Sequence, residues 1–190
     1  MLRVTHLVRF VPLLCLALLF SAVEANCADE KPAQPVPVKY RITGLFSPDR
    51  EADLREAAKD IADIALAEVD YANGEVTFTY DSTKILKGAK PDDVQKHIDN
   101  LLGNASNHTF GLKPLCKIPR DKLQRVEISV GVLDCKACGY GLYLAVSGVS
   151  GVEQATANYK EGLVTAWIDP EKTDRAKLID MLKKREVRVK

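Results

Sequence analysis

The sequence predicts an α+β protein in which one β-α-β-β-α order is run through twice, each pass giving an antiparallel sheet with two helices on one face. Three observations predict it. Apolar residues alternate at period two in short runs near 38–42, 76–80, 126–132 and 164–168. Glycine-bearing turns, Asn73-Gly74 and Lys160-Glu161-Gly162, precede the second and fourth of these runs. Stretches with helical spacing fall between the strands at corresponding places in both halves.

In the first pass Val38, Tyr40 and Ile42 alternate with Lys39, Arg41 and Thr43, the pattern of a half-buried strand. Leu54, Ala57, Ala58 and Ile61 recur at i, i+3, i+4 and i+7 and predict a helix within 51–65. A strand over 67–71 leads through Asn73-Gly74 into Val76, Phe78 and Tyr80. Pro91 opens a second helix, where its missing N–H leaves no bond unmade, and Val94, Ile98, Leu101 and Leu102 mark the inner face.

In the second pass Val126, Ile128, Val130 and Val132 form a strand that ends at Asp134-Cys135-Lys136-Ala137-Cys138, with a helix over 137–147 behind it. Gly151-Val152 enters the next strand, and Val164, Ala166 and Ile168 build its partner after Gly162. Thr173 is the expected cap of a last helix with Ala176, Ile179 and Leu182 inside, and Val187 with Val189 is the expected closing strand. The two passes therefore fit the ferredoxin-like split βαβ plan, βαββαβ, as two tandem domains. Their expected bounds are 38–110 and 125–190, joined by a linker over 111–124 that carries Pro114 and Pro119.

Ahead of the first strand, Arg3 and Arg9 precede an apolar run from Phe10 to Val23, and the chain turns polar at Glu24. That order is a secretory signal peptide, expected over 1–25 with small residues at Val23 and Ala25, and it places the protein in a secreted or periplasmic compartment. An uncleaved anchor and lipidation at Cys27 stay open as alternatives. Residues 26–37 carry three prolines and no periodicity, a flexible stalk.

Hydrophobic residues make up 46% and charged residues 28%, which excludes wholesale disorder. Lys plus Arg number 27 against 26 Asp plus Glu, and loss of Arg3, Arg9 and Glu24 with the signal leaves the two signs equal, so nothing here grips a phosphate backbone. No membrane partner is expected beyond the signal segment. No Ser/His/Asp order, phosphate loop or paired carboxylates stand out, and an enzyme is not expected.

The chemistry-bearing motif is Cys135-x-x-Cys138. Two intervening residues at a strand-to-helix junction bring both sulfurs to one point, and a helix N-terminus favours the thiolates that soft metal ions seek. Asp134 adds a hard oxygen donor and is a possible additional ligand, which favours a divalent ion such as Zn(II); its other reading is a solvated loop residue or helix cap. Cys116 stands in the linker with a structural role or as a free thiol, with a disulfide to Cys27 or service as a third ligand as the alternatives. His97 falls beside the apolar stripe of its helix, and Asn104 and Asn107 open two glycosylation sequons.

Residues 126–190 resemble a heavy-metal-associated (HMA) domain, the kind found in copper chaperones, periplasmic mercury-binding proteins and metal-transporting ATPases. The resemblance rests on Val132-Leu133-Asp134-Cys135-Lys136-Ala137-Cys138, with Gly151-Val152 thirteen residues on and the turn at Gly162. It implies that Cys135 and Cys138 bind one soft or borderline ion: Cu(I), Zn(II) or Cd(II), or Hg(II). It further implies a metal-transporting ATPase or another metal-binding protein as partner. The first half resembles the same domain without the CxxC, because Gly44-Leu45-Phe46-Ser47-Pro48-Asp49-Arg50 puts Ser47 and Arg50 at the two cysteine positions. The expected function is an exported heavy-metal-binding protein that sequesters or transfers its ion. The alternatives are an interaction module with the CxxC oxidised and a thiol-disulfide redox module.

Overall fold

The computed structural model describes residues 35–81, 84, 85, 88, 90–131, 133 and 135–190; the expected signal peptide, most of the expected stalk, Cys27 and Asp134 lie outside the described residues. β1 (Val36–Thr43), α1 (Arg50–Lys59), β2 (Ile64–Asp70), β3 (Glu75–Tyr80), α2 (Pro91–Ala105) and β4 (Gly111–Lys113) make the first half. A 3-10 turn at Arg120–Lys122 leads into β5 (Gln124–Ser129), α3 (Lys136–Ser147), β6 (Val152–Asn158), β7 (Leu163–Ile168) and α4 (Arg175–Lys184). The two sheets run in the orders β2-β3-β1-β4 and β5-β7-β6, with every pairing antiparallel. The second order repeats the first with its fourth strand missing. Among the described residues no helix is long and apolar enough to cross a membrane.

Periodicity explains most of these elements. Val76 and Phe78 bury one face of β3, and Leu54, Ile98 and Leu102 close over it as one core. Ile128, Val146, Ala157, Ile168 and Leu178 do the same in the second half. The two hairpins are built alike: Asp70 Oδ1 accepts the Asn73 N–H at 3.0 Å, Asn158 Oδ1 accepts the Glu161 N–H at 3.3 Å, and Gly74 and Gly162 both take φ +62°.

Four expectations need correction. β1 begins at Val36, inside the expected stalk, and Pro37 sits in register with Thr79. A proline is tolerated there because β4 pairs only with Arg41, Ile42 and Thr43, so the other side of β1 is open at Pro37. The expected linker is not all linker: Gly111–Lys113 is the fourth strand of the first sheet, and Arg120–Lys122 is a helical turn. Conversely, the expected closing strand of the second half is a single bridge between Val130 and Val189, with Glu186 at φ +60° turning the chain just before it. The last helix is capped by Asp174, whose Oδ1 accepts the Lys177 N–H at 2.8 Å, while Thr173 is buried beneath.

Residues Pro32–Lys190 form one compact unit, and the contact between its halves begins at the loop after β1. β6 is an edge strand, and its Ala157 N–H donates to the Phe46 carbonyl at 2.8 Å, so the first half satisfies a group the second sheet leaves open. The Phe46 ring is 2% exposed and belongs to the second core, 5.5 Å from Tyr140 and 5.9 Å from Tyr143 between ring centres. The Gly44 N–H donates to the Tyr143 hydroxyl at 2.9 Å. Gly44 stands at φ +86°, and a Cβ there would lie 1.9 Å from the Thr109 carbonyl oxygen, so no other residue fits this entry to the loop. Across the other side, Arg41 Nη1 meets Glu153 Oε2 at 2.6 Å, and Arg120 from the 3-10 turn lies 3.5 Å over the Trp167 ring and donates to Gln154.

Candidate metal centre

Cys135 stands just before α3 in extended conformation and is its N-cap: Cys135 Sγ accepts the Cys138 N–H at 3.2 Å. The Gly139 N–H then reaches the Cys135 carbonyl at 3.3 Å, closing the first turn. Both cysteines are exposed. The i, i+3 spacing puts both residues at the helix start, and the helix dipole favours negative charge at that end.

Gly139 explains how α3 comes so close to its sheet. A Cβ on it would meet Tyr159 Cβ at 3.1 Å, the Ala157 carbonyl oxygen at 3.4 Å and Phe46 Cε2 at 3.5 Å. The helix carrying the motif is thus wedged between β6 and the first half's aromatic ring. Lys136, the residue between the two cysteines that opens α3, reaches back across the seam: its Nζ lies 2.8 Å from Asp53 Oδ2 and 3.1 Å from Asp49 Oδ2. These bonds raise the Lys136 ammonium above its ordinary value, the hydrogen bond to Asp53 being the largest cause. The Asp53 carboxyl is lowered, chiefly by the same bond.

At the corresponding loop of the first half, the Ser47 side chain is 1% exposed and its hydroxyl donates to Asp49 Oδ1 at 2.5 Å. Arg50 fills the space beside it. The guanidinium donates to the Gly44 carbonyl at 3.3 Å, to Asp53 Oδ2 at 2.6 Å and to Thr109 Oγ1 at 3.0 Å, and lies 4.1 Å from the centre of the Phe110 ring. A fixed cation thus occupies the place where the sequence alignment puts the second cysteine. The bonds made by Ser47 and Arg50 here all end on groups of the first half.

No protein-family model matches the chain, and no curated protein matches it. Among solved structures, oxidized MerP from Ralstonia metallidurans CH34 is similar at 25% identity over 36% of this chain and 94% of that one, with a TM-score of 0.34. The CopZ metallochaperone is similar at 21% identity over 35% of this chain and all of its own, again at TM-score 0.34. The water-soluble region of the P-type ATPase CopA from Bacillus subtilis is similar at 16% identity over 83% of this chain and 91% of that one, also at 0.34. Superpositions this loose assign no family and no function.

Of the residues singled out from sequence, Cys135 and Cys138 both lie exposed at the start of α3, the Cys138 N–H donating to Cys135 Sγ; Asp134 lies outside the described residues. Cys116 is placed elsewhere, with its thiol donating to Glu153 Oε2 at 3.5 Å and pushed up by burial. His97 is half-buried on α2. Among the described residues no three His, Cys, Asp or Glu side chains gather as a metal cage. The sequence reading missed Phe46, Asp49, Asp53 and Lys136 as parts of one site. A signal for Phe46 was present in Leu45-Phe46, two large apolar residues in a loop that local periodicity gives no reason to bury.

Proposed function

We propose that this chain is an exported, non-enzymatic metal carrier made of two tandem ferredoxin-like domains, the second of which takes one soft or borderline ion at Cys135 and Cys138. The observation that carries the reading is the Cys135 sulfur at the N-cap of α3, one turn from Cys138, with both side chains exposed. A thiolate pair so placed is stabilised by the helix end, and the resemblance of residues 126–190 to heavy-metal-associated domains supports the same conclusion.

The chemistry of carriage follows from exposure. Cys135 and Cys138 supply two soft donors to the ion, which is cargo here, and leave the solvent side open for a partner's own thiolates to join before either sulfur lets go. A metal-transporting ATPase or another metal-binding protein suits that exchange, and Cu(I), Zn(II), Cd(II) and Hg(II) are the candidate ions. The first half contributes no soft donor at its loop; its role is to hold α3.

Native mass spectrometry of the mature chain, purified with and without reductant and beside Cys135→Ser, tests this. One ion per chain, lost in the variant, is the expected result and identifies the metal. A chain two protons light that binds nothing even after reduction sinks the proposal and leaves the oxidised interaction module in its place.

A further inference from the structure

Lys136 stands in the first turn of α3, at the positive end of the helix dipole, where a cation is disfavoured. The two carboxylates that offset it come from the other half of the chain. Asp53 Oδ2 holds Lys136 Nζ at 2.8 Å and Arg50 Nη1 at 2.6 Å, and Asp49 Oδ2 holds the same ammonium at 3.1 Å. Two cations and two carboxylates therefore form a set with no net charge, and the ammonium belonging to the CxxC motif is committed to it.

Charge decides which ions a thiolate pair holds best. Two thiolates around a monovalent ion keep one net negative charge, whereas around a divalent ion they are neutral. A free ammonium beside the pair favours the first complex; one already neutralised by carboxylates does so far less. We infer that Asp49 and Asp53 are positioning residues that set the charge preference of the Cys135-Cys138 site, drawing Lys136 onto the first half and tilting the pair toward divalent over monovalent ions. The erased loop thereby acts as a specificity element for the intact one. This inference rests on the proposed metal reading of the two cysteines.

Ag(I) and Cd(II) are suitable probes, because both are soft ions with filled d shells and differ in charge. Their affinities are measured by chelator competition on the full mature chain, and the quantity read is the Ag(I)-to-Cd(II) ratio of affinities. Asp49→Asn/Asp53→Asn, which releases Lys136, is expected to raise the ratio about three- to tenfold. Lys136→Met, which leaves two carboxylates unopposed by it, is expected to lower the ratio by a similar factor. The triple variant, in which Arg50 alone of the set keeps its charge, is expected to fall between the wild type and Asp49→Asn/Asp53→Asn. Simple loosening of the loop would move both affinities together and leave the ratio unchanged in every variant, and that result overturns the inference while the metal reading stands. A wild-type chain that binds neither probe overturns the metal reading and the inference with it.

Discussion

The loop after β1 and the loop after β5 leave their sheets at the same point of the same strand order and meet opposite surroundings. At the first, Ser47 is buried and a guanidinium fixed by three acceptors fills the space. At the second, two cysteines face solvent. The first loop also sends an aromatic side chain out of its own half into the neighbouring core. The comparison shows two strand-to-helix loops put to different uses, one packed down as a contact between the halves and one left open to solvent. An internal cation satisfies its acceptors without an exchangeable ion, and rigidity, a liability for exchange, becomes an asset for holding a neighbour.

The largest effect is expected from removing that ring. Phe46→Ala deletes a side chain 2% exposed in the second core while leaving the first core untouched, at a cost of about 3–5 kcal/mol. Denaturant unfolding followed by Trp167 fluorescence, which reports on β7, and by far-ultraviolet circular dichroism, which reports on both halves, measures it. The two probes should coincide in the wild type and separate in the variant. Coincident curves at an unchanged midpoint would show that the halves do not depend on this contact.

A second experiment tries to undo the divergence of the loops. Ser47→Cys/Arg50→Cys places cysteines at the two matching positions, yet the ion count in native mass spectrometry is expected to stay at that of the wild type. The side chain at 47 is sealed, and the loop is held down through the Phe46 carbonyl and the Gly44 N–H. Loss of the guanidinium should also cost about 1–3 kcal/mol, because the Gly44 carbonyl and Asp53 lose a charged donor in a half-buried site. An additional bound ion would mean that chemistry alone, and not burial, separates the two loops.

What the sequence revealed and what it hid divide along the range of the interactions. β3, β5 and β7 announce themselves through period-two alternation, and α2 through its apolar stripe, because each buries one face against its own half. β4 was hidden: three residues between Phe110 and Pro114 are too few to show alternation, and only pairing with Arg41, Ile42 and Thr43 makes them a strand. Val187 and Val189 misled in the opposite sense, since a pair of alternating valines looks like a strand until the turn at Glu186 limits it to one bridge. At the site, Cys135-x-x-Cys138 was legible as spacing. Lys136 with Asp53 was not, because their contact spans 83 residues of sequence and depends on how the halves pack.

The smallest expected effect tests the ionic seam by pH. Asp53 is lowered from its ordinary 3.8, first by the hydrogen bond from Lys136. At Asp49 burial acts upward and is the largest single cause, but the hydrogen bonds from Ser47 and Lys136, the Lys136 charge and a backbone hydrogen bond act downward, and that carboxyl is lowered too. A carboxylate lowered by folding adds stability above its unfolded value, and that stability is lost as the pH falls through the unfolded value toward the folded one. Both side chains are about 40% exposed, so each pair with Lys136 is worth at most about 1 kcal/mol after solvent screening. The wild type should therefore exceed Asp49→Asn/Asp53→Asn in denaturant midpoint near neutral pH, and the gap should close in acid as both aspartates protonate. Added salt should narrow the same gap at neutral pH, because partly exposed charges are screened, while leaving the Phe46→Ala deficit in place. A gap that persists unchanged in acid would assign the seam to the shape of the two side chains rather than to their charge.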